Sequence, residues 1–251
     1  VRPAPPVADV RRIGQPAGLL DRNSGEHWAG RLYIRRISPH VTRQLARTGI
    51  SPNGVTWLMV LCGVAAGAAL VIPGLWGPLL AVLLIQLQIL FDCSDGELAR
   101  LQQRYSAAGI YLDRVGHVVT AIALPVGLGL RVDEPVLGLV IAVLCVFVWA
   151  QSAFVHVARA EAGKPAVEDR PEVAAPRAGG LRSLRRVLTF VPFFRAFVAM
   201  EFTLLALAAG IYDQVGDSLD GSRALVIAMV PLAAVTAVGR LAAILASDRL
   251  R

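Results

Sequence analysis

The chain has 251 residues, 55% of them hydrophobic and only 17% charged, with a mean hydropathy of +0.59, which is too apolar for an ordinary water-soluble domain. A formal net charge of +7 would suit nucleic acid, but no basic patch interleaved with aromatics and no known reader motif accompanies it, so nucleic-acid partners are excluded. The three cysteines, Cys62, Cys93 and Cys145, are widely spaced with no CxxC pair, which leaves them as small apolar residues and not a disulfide framework.

Residues 1–25 open with Pro3, Pro5, Pro6 and Pro16 among Ala and Arg and lack the apolar run of a signal peptide; they are predicted to be a disordered cytoplasmic tail. Over residues 26–50, Trp28, Leu32, Ile34, Ile37 and Leu45 alternate with Arg31, Arg35, Arg36, Arg43 and Arg47. That mixture predicts a juxtamembrane amphipathic helix lying in the interface, with a plain charged linker as the alternative. Ser51-Pro52-Asn53 stops this element and starts the next, Pro52 taking an early helical position.

Residues 51–251 read as one membrane domain of about six transmembrane helices, each needing roughly 17 to 25 apolar residues. The spans are Val55–Gly74, Leu75–Phe91, Ala107–Leu130, Val136–Val157, Val187–Ile211 and Ala224–Ala246. The predicted fold is therefore an all-α integral membrane protein. The stretch Glu161–Gly180, rich in Ala, Pro and Gly, is predicted to be a loop and no second domain. Arginines cluster before the first span, at Arg100 and Arg104, and between Arg159 and Arg186, whereas the alternate connections are neutral or acidic. By the positive-inside rule the protein is a multi-pass component of the cell membrane with both termini cytoplasmic, and its excess basic residues contact anionic membrane lipids.

The chemistry concentrates where the second span ends and the third begins. Asp92 and Asp95 are three residues apart, and Asp113 and His117 are four apart, so each pair shares a helix face. A short turn around Leu101–Ser106 lets all four converge just below the cytoplasmic surface. Charge at the edge of apolar segments needs a strong reason, and an oxygen-rich cluster suits a hard divalent cation, Mg2+ or Mn2+. Arg100, always charged, suits a phosphate. Gly96, Ala99 and Gly109 lack bulk, which lets a ligand approach the backbone. Glu97, between them, is expected to be a solvated charge.

The order Asp92, Asp95, Gly96, Ala99, Arg100, Gly109, Asp113 resembles the signature of the CDP-alcohol phosphotransferase (phosphatidyltransferase) family, D-x2-D-G-x2-A-R-x8-G-x3-D-x3-D, matching seven of its eight fixed residues. Pro52-Asn53-Gly-Val-Thr56 and the arrangement of about six spans extend the likeness; beyond Arg131 it is architectural only. His117 stands where the family has its fourth aspartate. The resemblance implies an enzyme, a phosphotransferase for substituted phosphate groups. A CDP-alcohol donor such as CDP-diacylglycerol would lie with its diphosphate on a metal held by Asp92, Asp95 and Asp113. A hydroxyl acceptor would attack and expel CMP, with Arg100 steadying the phosphate and Asn53 and Thr56 beside the nucleotide. His117 is then a base or a metal ligand, working with Asp113, or marks a repurposed site.

For the acceptor, family members that use a phosphorylated polyol such as inositol phosphate line a pocket with basic residues. Arg195 in the fifth span, read as a buried base, and Arg182 with Arg185 and Arg186 at the entrance are the residues that resemblance picks out; headgroup contact and topology are their alternatives. Gly63-Val-Ala-Ala-Gly67 allows close helix packing and a homodimer contact. Gln86, Gln88, Gln151, His156, Glu201 and Arg240 read as polar partners between helices. The competing readings are a transferase with a soluble CDP-polyol donor, a catalytically silent family member acting as a membrane scaffold, and a cation-coupled transporter, which would not need the Gly96, Ala99, Arg100 and Gly109 spacing.

Overall fold

A computed structural model of the chain describes residues 5–16, 28–165, 193–247 and 250, and no strand occurs among them. The α-helices are α1 (Val7–Gly14), α2 (Arg35–Thr48, entered through a π-helical turn at Gly30–Ile34), α3 (Pro52–Leu70), α4 (Trp76–Gln102), α5 (Ala107–Arg131), α6 (Pro135–Glu161), α7 (Ala199–Gly216, preceded by a 3₁₀ turn at Phe193–Phe197) and α8 (Asp220–Leu245). Five of them, α3, α4, α5, α6 and α8, are long and apolar enough to cross a membrane. The protein is an all-helical, multi-pass membrane protein.

The span expected at Val187–Ile211 differs. Residues 187–192 lie outside the described residues, and the helix begins only at Ala199, after an extended Val198. Glu201 in its first turn and the buried Asp213 near its end shorten its apolar stretch.

The chain divides into two compact units. The first comprises Val1–Ala66 and Leu80–Thr120. Its helices start and stop on local chemistry. Gly49, with φ of +76°, closes α2 in the left-handed conformation that glycine adopts without strain. Ser51 Oγ accepts from Gly54 N at 3.1 Å, with Pro52 at the first helical position of α3. Ser106 Oγ accepts from Gly109 N at 2.9 Å and caps α5.

Helices α3 and α5 touch at glycines within this unit. A Cβ on Gly63 would overlap the Thr120 hydroxyl, and one on Gly116 would overlap Met59. Thr120 in turn accepts from Gln88 Nε2 of α4 at 2.8 Å, and Tyr33 donates its hydroxyl to Gln86 Oε1, so both glutamines serve as polar partners between elements. Ala29, Ile34 and Cys93 form a small core with Tyr33, Ile89 and Leu90. The disordered tail expected over residues 1–25 contains a helix: α1 packs on α2 and buries Val10 completely. Its apolar positions face a partner that sequence periodicity over eight residues does not reveal.

The second unit comprises Gly67–Leu79 and Ala121–Arg251. Here α8 packs on α6 and α7, and Gly67 lies against the carbonyl of Ala123. The two glycines offered as a dimer face therefore each pack on α5 of the same chain. Arg131, 8% exposed, donates to the carbonyls of Leu70 at 3.3 Å, Ile72 at 2.8 Å and Gly74 at 2.9 Å and to Ser222 Oγ at 3.3 Å. It satisfies the carbonyls left open where α3 ends. Asp213 caps α8 by accepting from Gly221 N at 2.7 Å and from Ser222 Oγ at 2.5 Å. Gln151 donates to the Ala237 carbonyl at 3.1 Å, and Arg240 donates to Ser152 Oγ. Trp57, Leu61 and Leu83 of the first unit and Val143 and Val238 of the second are each more than half exposed, as lipid-facing side chains are. A surface so apolar marks contact with a nonaqueous medium.

Candidate metal and phosphate site

Helix α4 has 27 residues, about 40 Å at a rise of roughly 1.5 Å per residue, against a hydrocarbon layer of about 30 Å. It is therefore longer than the layer it would cross, and its last turns carry Asp92, Asp95, Gly96, Ala99 and Arg100. The first turns of α5 bring Gly109, Asp113 and His117 back beside them. All of these residues belong to the first unit.

His117 Nε2 lies 3.3 Å from Asp92 Oδ1 and 3.4 Å from Asp113 Oδ1. The three side chains offer one ligand atom each, all within 4.8 Å of one another. They are 35–39% exposed, so a ligand can reach them. Two carboxylate oxygens and one imidazole nitrogen form a donor set that fits a divalent cation, with open positions left for substrate or water.

Asp95, the fourth expected ligand, is held differently. It accepts from Thr56 Oγ1 of α3 at 2.7 Å, and Thr56 is only 3% exposed. Asn53, one turn earlier on α3, places its side-chain oxygen where a Cβ on Gly109 would stand, 2.8 Å away. The residues expected beside the nucleotide thus line the same cluster from α3.

Residues 49–175, just over half of the chain, match the family model described as CDP-alcohol phosphatidyltransferase. The chain belongs to that family. It is therefore an enzyme, a transferase of the CDP-alcohol phosphotransferase type. Similar solved structures include Mycobacterium tuberculosis phosphatidylinositol phosphate synthase, PgsA1, with CDP-DAG bound, at 21% identity and a TM-score of 0.52 over 84% of this chain and 95% of that one. The same enzyme in complex with manganese and citrate aligns at 20% identity and a TM-score of 0.51, covering 84% and 90%. At this identity the likeness is one of fold. Among curated proteins none matches.

Within the family signature, Arg100 folds back over Gly96: a Cβ there would stand 3.2 Å from Nη2 and 3.3 Å from Nη1. Its Nε donates to the carbonyl of Gly14 at 2.6 Å. Ala99 is half-buried. Arg195 is exposed in the 3₁₀ turn before α7 and belongs to the second unit, so the buried base expected in a span is not what the structure has. The turn leaves it outside the regular helix whose packing would have covered it. Arg182, with Arg185 and Arg186, lies outside the described residues.

Glu97, too, sits elsewhere than sequence reasoning placed it. It is fully buried and accepts from Ser38 Oγ at 2.5 Å, Thr42 Oγ1 at 2.7 Å and Gln15 Nε2 at 2.8 Å, with Arg35 Nη1 at 3.5 Å. A carboxylate leaves water only when its lone pairs are otherwise filled. Two signals were available: Glu97 continues the stripe of Ile89, Leu90 and Cys93 on α4, and Ser38 and Thr42 stand four apart on α2.

Proposed function

We propose that the protein transfers a phosphoalcohol group, the phosphatidyl group of CDP-diacylglycerol, to a small hydroxylated acceptor and releases CMP, with a divalent cation bound by Asp92, Asp113 and His117. The observation that carries this reading is the meeting of those three donor groups within 4.8 Å at the end of two apolar helices. The CDP-DAG and manganese named for the PgsA1 structures support the choice of donor and of a divalent ion.

A bound cation supplies charge neutralisation at the diphosphate and at the leaving CMP. The chain's own groups do the rest. Asn53 and Thr56 stand where the cytidine end of the donor is proposed to lie. The guanidinium of Arg100, anchored through Nε, keeps both terminal nitrogens for a phosphate. In the transfer, a bond forms between the acceptor oxygen and the distal phosphorus while the bond from that phosphorus to the CMP oxygen breaks. The acceptor's proton passes to Asp113, which has a second carboxylate oxygen beyond the one beside His117. His117 contributes its nitrogen to the cation in this reading, replacing a carboxylate and lowering the negative charge of the cluster by one. Phosphoryl transfer of this type depends chiefly on positioning and electrostatic stabilisation.

The acceptor proposed is a polyol phosphate. The active site and both termini are proposed to face the cytoplasm, from the distribution of basic residues.

The deciding experiment is CMP release by purified protein in lipid, using CDP-diacylglycerol or CDP-glycerol against inositol phosphate, glycerol phosphate and serine. CMP release from CDP-diacylglycerol with one acceptor identifies the reaction. Binding of the donor without CMP release from any pair would replace it with the silent scaffold.

A further inference from the structure

Helix α4 presents two adjacent stripes. Asp92, Gly96 and Arg100 are four apart on one; Cys93 and Glu97 are four apart on the next. The first belongs to the reaction. The second lies against the N-terminal elements: Cys93 joins Ala29 and Ile34, and Glu97 binds Gln15, Ser38 and Thr42.

We propose that Glu97 is a positioning residue, fastening Gln15 and the end of α1 to the signature helix so that the Gly14 carbonyl holds Arg100 with its terminal nitrogens toward the donor phosphate. This rests on the reading of Arg100 as a phosphate-binding group. Four contacts carry it. Gln15 Nε2 reaches Glu97 Oε1 at 2.8 Å and the Arg35 carbonyl at 2.8 Å, fixing the residue after α1 to both α4 and α2. Gly14 sits so close that a Cβ would stand 3.1 Å from Glu97 Cβ and Cγ. Its carbonyl then takes Arg100 Nε at 2.6 Å.

The chemistry of the guanidinium makes this orientation useful. Arginine has five N–H donors in a planar fork; tying Nε to a neutral carbonyl fixes the plane and leaves the edge formed by Nη1 and Nη2 for a phosphate. A carboxylate in the Gly14 position would neutralise the cation, whereas a carbonyl does not. The buried charge of Glu97 is met by two hydroxyls, an amide and the Arg35 guanidinium at 3.5 Å, so its hydrogen bonds do not draw on Arg100.

The test uses full-length protein in lipid nanodiscs and measures equilibrium binding of CDP with Mn2+, alongside thermal unfolding. Gln15→Ala and Glu97→Ala should each weaken CDP binding by about tenfold, the scale of one hydrogen bond to a charged group. Glu97→Gln, which keeps an acceptor oxygen and the volume, should recover most of the loss. In an Arg100→Ala background, Gln15→Ala should have no further effect on binding, because the group it orients is gone. Gln15→Ala that binds CDP as the unaltered protein does, or a loss that simply adds to that of Arg100→Ala, would overturn the proposal while leaving the site intact. Arg100→Ala that binds CDP normally, or an unaltered protein that does not bind it, overturns instead the reading of the site on which the proposal stands.

Discussion

At the scale of single residues, the cluster of Asp92, Asp113 and His117 depends on charge as much as on shape. Asp92→Asn or Asp113→Asn keeps the volume and removes one negative charge from a three-donor set. Each is expected to abolish CMP release and to eliminate Mn2+ binding measured by electron paramagnetic resonance; turnover retained in both variants would remove the metal assignment. His117→Asp is expected to preserve or raise CMP release, since a carboxylate supplies a harder oxygen donor with more negative charge. Complete loss would show that the imidazole has a duty of its own. The spacing of four between Asp113 and His117 made their shared face legible from the chain alone. The hydrogen bond that Asp95 accepts was not legible, because its partner Thr56 is 39 positions away.

Between elements, helix contacts rest on the absence of side chains. Gly63 lets α3 approach α5 until the Thr120 hydroxyl fills the place of its Cβ, and Thr120 also accepts from Gln88. Gly63→Val must separate the helices or break that hydrogen bond. A cost of about 1–3 kcal/mol follows for overpacking, measured as a lowered midpoint of unfolding in detergent; an unchanged midpoint would place the α3–α5 contact elsewhere. The Gly-x3-Gly pattern announced close packing, but it named no partner, since a dimer face and an intrachain face have the same composition. Arg131 poses the converse case. As one base near a span end it reads as a topology signal, yet its guanidinium serves the carbonyls at the end of α3. Arg131→Met leaves those carbonyls and Ser222 without a donor, so expression and thermal stability are expected to fall sharply, by about 3 kcal/mol or more; a normal melting curve would deny the clasp.

For the whole molecule, the membrane sets the frame. Five helices have the length and composition to cross a bilayer, and the basic residues predict that the turn at residues 103–106 faces the cytoplasm while that at residues 132–134 faces away. Single cysteines at Arg104 and Glu134, introduced after replacing Cys62, Cys93 and Cys145, should react with an impermeant maleimide from opposite sides of sealed vesicles. Labelling of both from one side would invert or break that order of crossings.

The sequence by itself determined the class of the protein, the approximate positions of five of its apolar helices and the identity of the signature residues, because these depend on local composition and on spacing along one or two helices. Tertiary structure alone decided which partners the polar groups take. It turned Glu97 inward onto Gln15, Ser38 and Thr42, set Asp95 on Thr56, ordered α1 against α2 and left Arg195 exposed. The reason is physical. A buried polar group is stable only when its partners are present, and those partners come from segments that folding brings together, at separations of up to 82 positions for Glu97.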